Sequence, residues 1–142
     1  MSSTPSLSSL QVGDVIAEYD VHFTRDVLVR YAGASGDFNP IHYRDDIAKS
    51  VGLEGVLAHG MLTMGVVASG TVEWLGDAGF VCDYQVRFTK PVFVDADQGA
   101  DVHVVSTIAA IDAQEQTARI DIKALFREQT VLAKSQLVVK FW

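Results

Sequence analysis

The pattern of apolar and polar positions divides the chain into an opening strand, a helical middle and a strand-rich second half. Val15–Val21 has strand character, and Thr24 follows it as a helix N-cap. Asp26 then sits in the first turn, where a negative charge suits the helix dipole. Val27, Leu28, Tyr31 and Ala32 share one helical face, which predicts a short helix running to the glycines at 33 and 36. Pro40 forces Asn39 into an extended conformation, so Asp37–Pro40 cannot continue that helix. A second short helix is predicted from near Asp45 to Gly52.

The segment Gly60–Leu75 reads differently. Met61, Leu62, Met64, Val66 and Val67 leave hardly any polar face, which predicts a long helix buried on several sides. Gly76 is its stop. Beyond it the period falls to two, with strands predicted over 81–88, 101–111, 118–124 and 131–141 and Pro91 marking an edge or bend. In 118–124, Ile120, Ile122 and Ala124 alternate with Arg119, Asp121 and Lys123, so one face is wet. Turns fall at Asp112–Glu115 and Arg127–Glu128. Helices and strands are segregated rather than alternating, so the expectation is an α+β domain whose antiparallel sheet wraps one apolar helix. Residues 1–9 read as a flexible leader and 10–142 as a single domain.

Composition narrows the function classes. The 142 residues are 49% apolar and 20% charged, enough for a real core and against disorder. A net charge of −7 without a Lys/Arg run argues against nonspecific nucleic-acid binding. Cys82 is the single cysteine, so no internal disulfide can form, and it reads as a small buried hydrophobe. The longest apolar run, Gly60–Val72, is shorter than the ~18 residues of a membrane span. The first residues lack the basic and apolar regions of a secretory signal, so a cytoplasmic protein is expected.

Two segments carry candidate chemistry. In Gly36–His42, Asp37 and His42 flank an Asn-Pro turn that can swing both side chains toward one point. An imidazole beside a carboxylate makes an acid–base pair, although Asp before a turn also serves simply to bond its own backbone. Gly60 stands where the long helix begins, so its N–H is an unpaired first-turn donor that a carbonyl oxygen gaining charge could occupy. The alternative is that glycine merely eases entry into the helix. His59 reads as a helix cap or a wall of the pocket. Asp37, His42 and His59 match no metal-binding spacing, so no metal is expected. His22 and His103 lie in strand contexts without a charged partner nearby in sequence and read as surface or edge residues.

The two segments Y-A-G-A-S-G-D-F-N-P-I-H and G-V-L-A-H-G-M-L-T-M-G resemble the signature of MaoC-like (R)-specific enoyl hydratases and (3R)-hydroxyacyl dehydratases. The likeness extends to the catalytic subunit of the mycobacterial-type (3R)-hydroxyacyl-ACP dehydratase. The motif covers about 31–65, and V-R-F-T-K-P-V also fits the family's strand entry. The resemblance implies a hot-dog fold with about five strands and a dimer, either of identical chains or with a related hot-dog subunit. It implies that Asp37 and His42 are the catalytic dyad, that Gly60 N–H polarises a thioester carbonyl and that Asn39 fixes the turn. Met61, Leu62 and Met64 would wall an acyl channel, although the packing of a buried helix explains them equally well. The implied reaction is the reversible hydration of trans-2-enoyl to (3R)-3-hydroxyacyl thioesters, with Asp37 taking a proton from water and His42 supplying one to C2, or the reverse. No cofactor is implied beyond the CoA or acyl-carrier phosphopantetheine that belongs to the substrate. The sequence departs from the family at Arg44, where an acid is frequent. Arg44, Lys49, Arg87 and Lys90 are candidates to meet substrate phosphates. A hot-dog thioesterase would instead use an acid on the long helix, where only Glu73 is available.

Overall fold

The computed structural model describes residues 4–142, so the start of the expected leader lies outside the described residues. Leu7–Ser9 form one 3-10 turn, and Leu7 and Leu10 pack against the core. The elements that follow are β1 (Val15–Phe23), α1 (Arg25–Ser35), a 3-10 turn at Pro40–His42, α2 (Asp45–Ser50) and α3 (Gly60–Leu75). The second half supplies β2 (Gly79–Phe88), β3 (Ala100–Asp112), β4 (Thr117–Phe126), β5 (Gln129–Thr130) and β6 (Leu132–Phe141). The strands form one antiparallel sheet in the order β1-β3-β4-β6-β2, with the two-residue β5 paired to β4. The sheet curves round α3, which is the hot-dog fold.

The core lies between the concave face and α3, where Val104, Ile120, Leu137 and Val139 meet Val67 and Leu75. The alternation in 118–124 is the cause: Ala118, Ile120, Ile122 and Ala124 are all buried, while Asp121 and Lys123 are exposed. Both edge strands grip the helix through tyrosines. Tyr19 of β1 donates to Val67 O at 2.9 Å and accepts from Gly70 N–H at 3.1 Å. A Cβ on Gly70 would lie 2.2 Å from the Tyr19 ring, so this close approach requires glycine. Tyr84 of β2 donates to Met64 O at 2.8 Å.

Local punctuation behaves as its chemistry dictates, with three differences from expectation. Gly36 ends α1 in the left-handed region at φ 76°. Thr24 occupies the N-cap position but makes no side-chain cap, because its hydroxyl bonds the Asp26 carboxylate instead. The long helix is not enclosed on all sides: Met61 and Val72 are exposed, on a stripe that also carries Gly65 and Ser69. Uniform apolarity marks a helix as core but does not say which side the sheet covers. Cys82 is exposed rather than buried, because a register shift between Val81 and Asp83 breaks the alternation of the β2 edge. His22 and His103 are surface residues as expected, yet each meets a carboxylate on the neighbouring strand, Asp101 and Asp20 respectively. Among the described residues no helix is long and apolar enough to cross a membrane.

Candidate active site

The turn after α1 is wound by its own side chains. Ser35 Oγ accepts from Asp37 N–H, Asp37 Oδ1 accepts from Asn39 N–H at 3.1 Å, and Asn39 Oδ1 accepts from Ile41 N–H at 3.2 Å. These successive two-residue bonds coil the chain so that Asp37 and His42 face each other. Asn39 therefore fixes the turn through its own side chain. His42 Nε2 lies 3.9 Å from Asp37 Oδ2, too long for a hydrogen bond. The gap is suited to one water that donates to both groups.

The His42 tautomer follows from its other nitrogen. Nδ1 lies 2.8 Å from Leu57 O, and a carbonyl can only accept, so Nδ1 carries the proton. In the tautomer with the proton on Nδ1, the Nε2 lone pair is turned toward Asp37. The imidazole is buried, whereas the Asp37 side chain is about half exposed at 51%. One group of the pair is thus fixed by packing and the other stands at the rim.

A cavity of about 290 Å³ opens beside the imidazole. His42, Leu57, Gly60, Thr63, Phe88 and Lys90 are among the residues lining it. Gly60 is the first residue of α3, and among the described residues no backbone carbonyl outside the helix accepts its N–H. The positive end of a 16-residue helix therefore faces the cavity beside His42. Met61, Leu62 and Met64 do not line this cavity, and Thr63 does. Met61 points outward on the open side of α3. Phe88 covers the Gly60 Cα, where a Cβ would meet its ring at 3.0 Å.

His59 sits at the α3 N-cap position without capping it through its side chain. Its ring stacks on His42 with centroids 3.8 Å apart, takes the Tyr31 ring at 4.8 Å and bonds Asp37 O through Nε2 at 3.2 Å. Because Nε2–H is the donor there, Nδ1 holds a lone pair, and it is buried without a partner among the described residues. Asp37, His42 and His59 bring ligand-type atoms within 4.8 Å of one another. Two rings stacked with only 21° between their planes cannot both point a nitrogen at one ion ~2.1 Å away. His59 instead ties the Asp37 backbone to the His42 ring.

Burial holds His59 below the ordinary histidine range, outweighing its bond to Asp37 O, with the neighbouring His42 adding to the depression. A neutral buried histidine that regains a proton on unfolding contributes stability above the unfolded pKa of about 6.5, lost as pH falls toward the depressed folded value. Wild type is therefore expected to lose stability below about pH 6.5 faster than His59→Gln, by up to about 1.4 kcal/mol per pH unit. Urea unfolding of both proteins at pH 7 and pH 5 checks this, and parallel slopes would contradict it.

The proposed phosphate contacts separate on inspection. Arg44 is engaged by Asp46, with Nε–Oδ1 at 3.1 Å. Lys90 lines the cavity, while Lys49 lines a different, polar recess. Arg87 has no carboxylate partner among the described residues. Glu73 lies 13 residues along α3 from Gly60, roughly 20 Å away, and does not reach the cavity.

The hot-dog fold with an Asp/His turn against a helix N-terminus is the setting in which sequence comparisons become informative. Residues 10–124 match the family described as MaoC like domain, and the chain belongs to that family. It is 43% identical over 70 residues to 3-hydroxyacyl-thioester dehydratase X of Mycobacterium tuberculosis, covering 49% of this chain and 24% of that protein. The chain thus spans about a quarter of that relative's length. A solved MaoC-like dehydratase superposes with a TM-score of 0.90 at 37% identity, over 98% of this chain and 43% of that one. The solved (R)-hydratase from A. caviae superposes with a TM-score of 0.82 at 26% identity, over 94% of this chain and 98% of that one.

Proposed function

We propose that this chain catalyses the reversible addition of water to trans-2-enoyl thioesters, giving (3R)-3-hydroxyacyl thioesters. The observation that carries the reading is the 3.9 Å gap between Asp37 Oδ2 and His42 Nε2, next to a cavity that His42 and Gly60 line and Asp37 does not. Two acceptors at that separation hold one water by both hydrogens and leave an oxygen lone pair for C3. Gly60 N–H takes the thioester carbonyl oxygen, which makes C3 electrophilic and stabilises the enolate that forms. The lone pair of neutral His42 receives a proton from water as the C3–O bond forms. The resulting imidazolium, beside the Asp37 carboxylate, returns that proton to C2 of the enolate. Atoms balance: one water adds across C2–C3 and the enzyme regains its starting state. This ordering favours His42 over Asp37 as the proton carrier, because Nδ1 is engaged by Leu57 O.

The conjugated thioester supplies its own electron sink, so the step needs no metal and no organic cofactor. The acyl carrier, CoA or a carrier protein, presents its phosphates at the mouth, where Lys90 lines the cavity as the available cation. A second hot-dog subunit, identical or related, fits the open side of this chain. The β2 edge is unpaired and carries exposed Phe80, Val81 and Phe88, next to the α3 stripe with Met61 and Val72.

The test is a hydration assay on enoyl thioesters of short and long chain, offered on CoA and on a carrier protein. Loss of the conjugated absorbance with formation of (3R)-hydroxyacyl product is expected. Release of free thiol without hydroxyacyl product would point to a hydrolase and defeat the proposal.

A further inference from the structure

The His42 tautomer depends on one carbonyl, Leu57 O, so whatever fixes the Leu57 peptide controls which way the lone pair of the dyad points. The segment 56–58 is extended, and its backbone groups alternate in direction. Leu57 faces the dyad turn: its N–H donates to Ile41 O at 3.4 Å and its carbonyl accepts from His42 Nδ1 at 2.8 Å. Val56 and Ala58 face the other way, toward the stretch after β2. Ala58 N–H donates to Val92 O and Val56 O accepts from Val94 N–H, both at 2.9 Å. The Val56 N–H has no backbone partner among the described residues, and Val56 is buried. It donates to Asp45 Oδ1 at 2.9 Å.

Asp45 is itself held. Arg25 Nη2 lies 3.0 and 3.1 Å from its two carboxylate oxygens, and Arg25 Nε bonds Val94 O, the residue whose N–H holds the other side of Val56. The Val56 N–H, with Arg25 assisting against partial burial, holds the Asp45 carboxyl below the usual carboxylate range. Gly55 permits the approach, since a Cβ there would lie 3.0 Å from Asp45 Oδ1. The contacts form a closed ring: Arg25, Asp45, Val56, Val94 and back to Arg25.

We propose that Asp45, locked by Arg25, is a positioning residue that sets the tautomer of His42 through the Val56–Leu57 peptides. It touches neither substrate nor the reacting atoms. Its task is to keep Leu57 O aimed at Nδ1 so that the bare Nε2 faces the site. The inference rests on the acid–base role given to His42 above, but its principal readout does not require turnover.

The experiment is nitrogen NMR of the labelled His42 imidazole at neutral pH in wild type, Asp45→Ala, Asp45→Asn and Arg25→Lys, with kcat and KM measured alongside. Wild type is expected to show the Nδ1–H tautomer. Asp45→Ala is expected to show a mixture of tautomers, with kcat lowered about 10- to 100-fold and KM changed far less. Asp45→Asn keeps an oxygen for Val56 N–H and is expected to restore the wild-type tautomer. If Asp45→Ala does not fold, Arg25→Lys, which keeps the charge but loses the fork geometry, is expected to give a smaller shift of the same sign. An Nε2–H tautomer in wild type would overturn the proposal by itself. So would an unchanged tautomer in folded Asp45→Ala and Arg25→Lys, even with lower stability or turnover. A chain that shows the expected tautomer shift but no hydration would leave the clamp standing and defeat the functional reading instead.

Discussion

Asp37→Asn and His42→Ala are each expected to lower kcat/KM by about 10²- to 10⁴-fold, or roughly 3–5 kcal/mol of transition-state stabilisation. The two substitutions remove different things. Asn at 37 still offers an oxygen to Asn39 N–H, so the turn survives while the carboxylate charge is lost. Ala at 42 removes the proposed proton carrier, the donor to Leu57 O and the stacking partner of His59 together. His42→Ala is thus also expected to reduce stability, and its activity is to be compared per folded molecule. In the proposed mechanism both groups act on one water, so the double variant is expected to fall little below the worse single variant. Turnover close to wild type in either single variant, measured by loss of the enoyl chromophore, would remove that residue from the dyad. Additive losses in the double variant would show two independent contributions rather than one shared water.

The parts of this site that were legible in the sequence are those encoded by neighbours. Asn39-Pro40 breaks the helix, Gly36 accepts the left-handed cap and Asn39 binds its own backbone two residues on, all within one turn of chain. Gly60 at the start of α3 was legible for the same reason, since an apolar run with a defined start has a defined first-turn donor. What could not be read locally is orientation. The apolar run of α3 does not say that Thr63 faces the cavity and Met61 faces out, because that depends on where the sheet lies. The stack of His59 on His42 joins residues 17 apart through folding, and the Arg25–Asp45–Val56 ring joins three segments. A carboxylate three residues after His42 reads as a surface charge at a helix start until the structure shows what it holds.

Gly60→Pro is expected to lower kcat by about 10²- to 10³-fold, the usual effect of losing one oxyanion donor, while Gly60→Ala is expected to cost less than about tenfold. Proline normally destroys a backbone donor at the expense of the fold, but the first helical position is where a helix accepts it. His59, which precedes it, already has φ −58° and ψ 133°, within the region that a following proline requires. Both variants add a Cβ that meets the Phe88 ring at 3.0 Å. Phe88 is 51% exposed, so its ring can swing outward by a few tenths of an ångström. The Cβ contact is therefore shared and the helix dipole is retained in both, while proline alone replaces the N–H hydrogen with its ring Cδ, so the difference between the variants reads the loss of that donor together with the space the Cδ fills. Equal activities, with both proteins folded by thermal melting, would show that the thioester carbonyl is held elsewhere. A loss confined to proline is the result expected if the developing negative charge sits at the start of α3, beside His42, the proposed proton carrier.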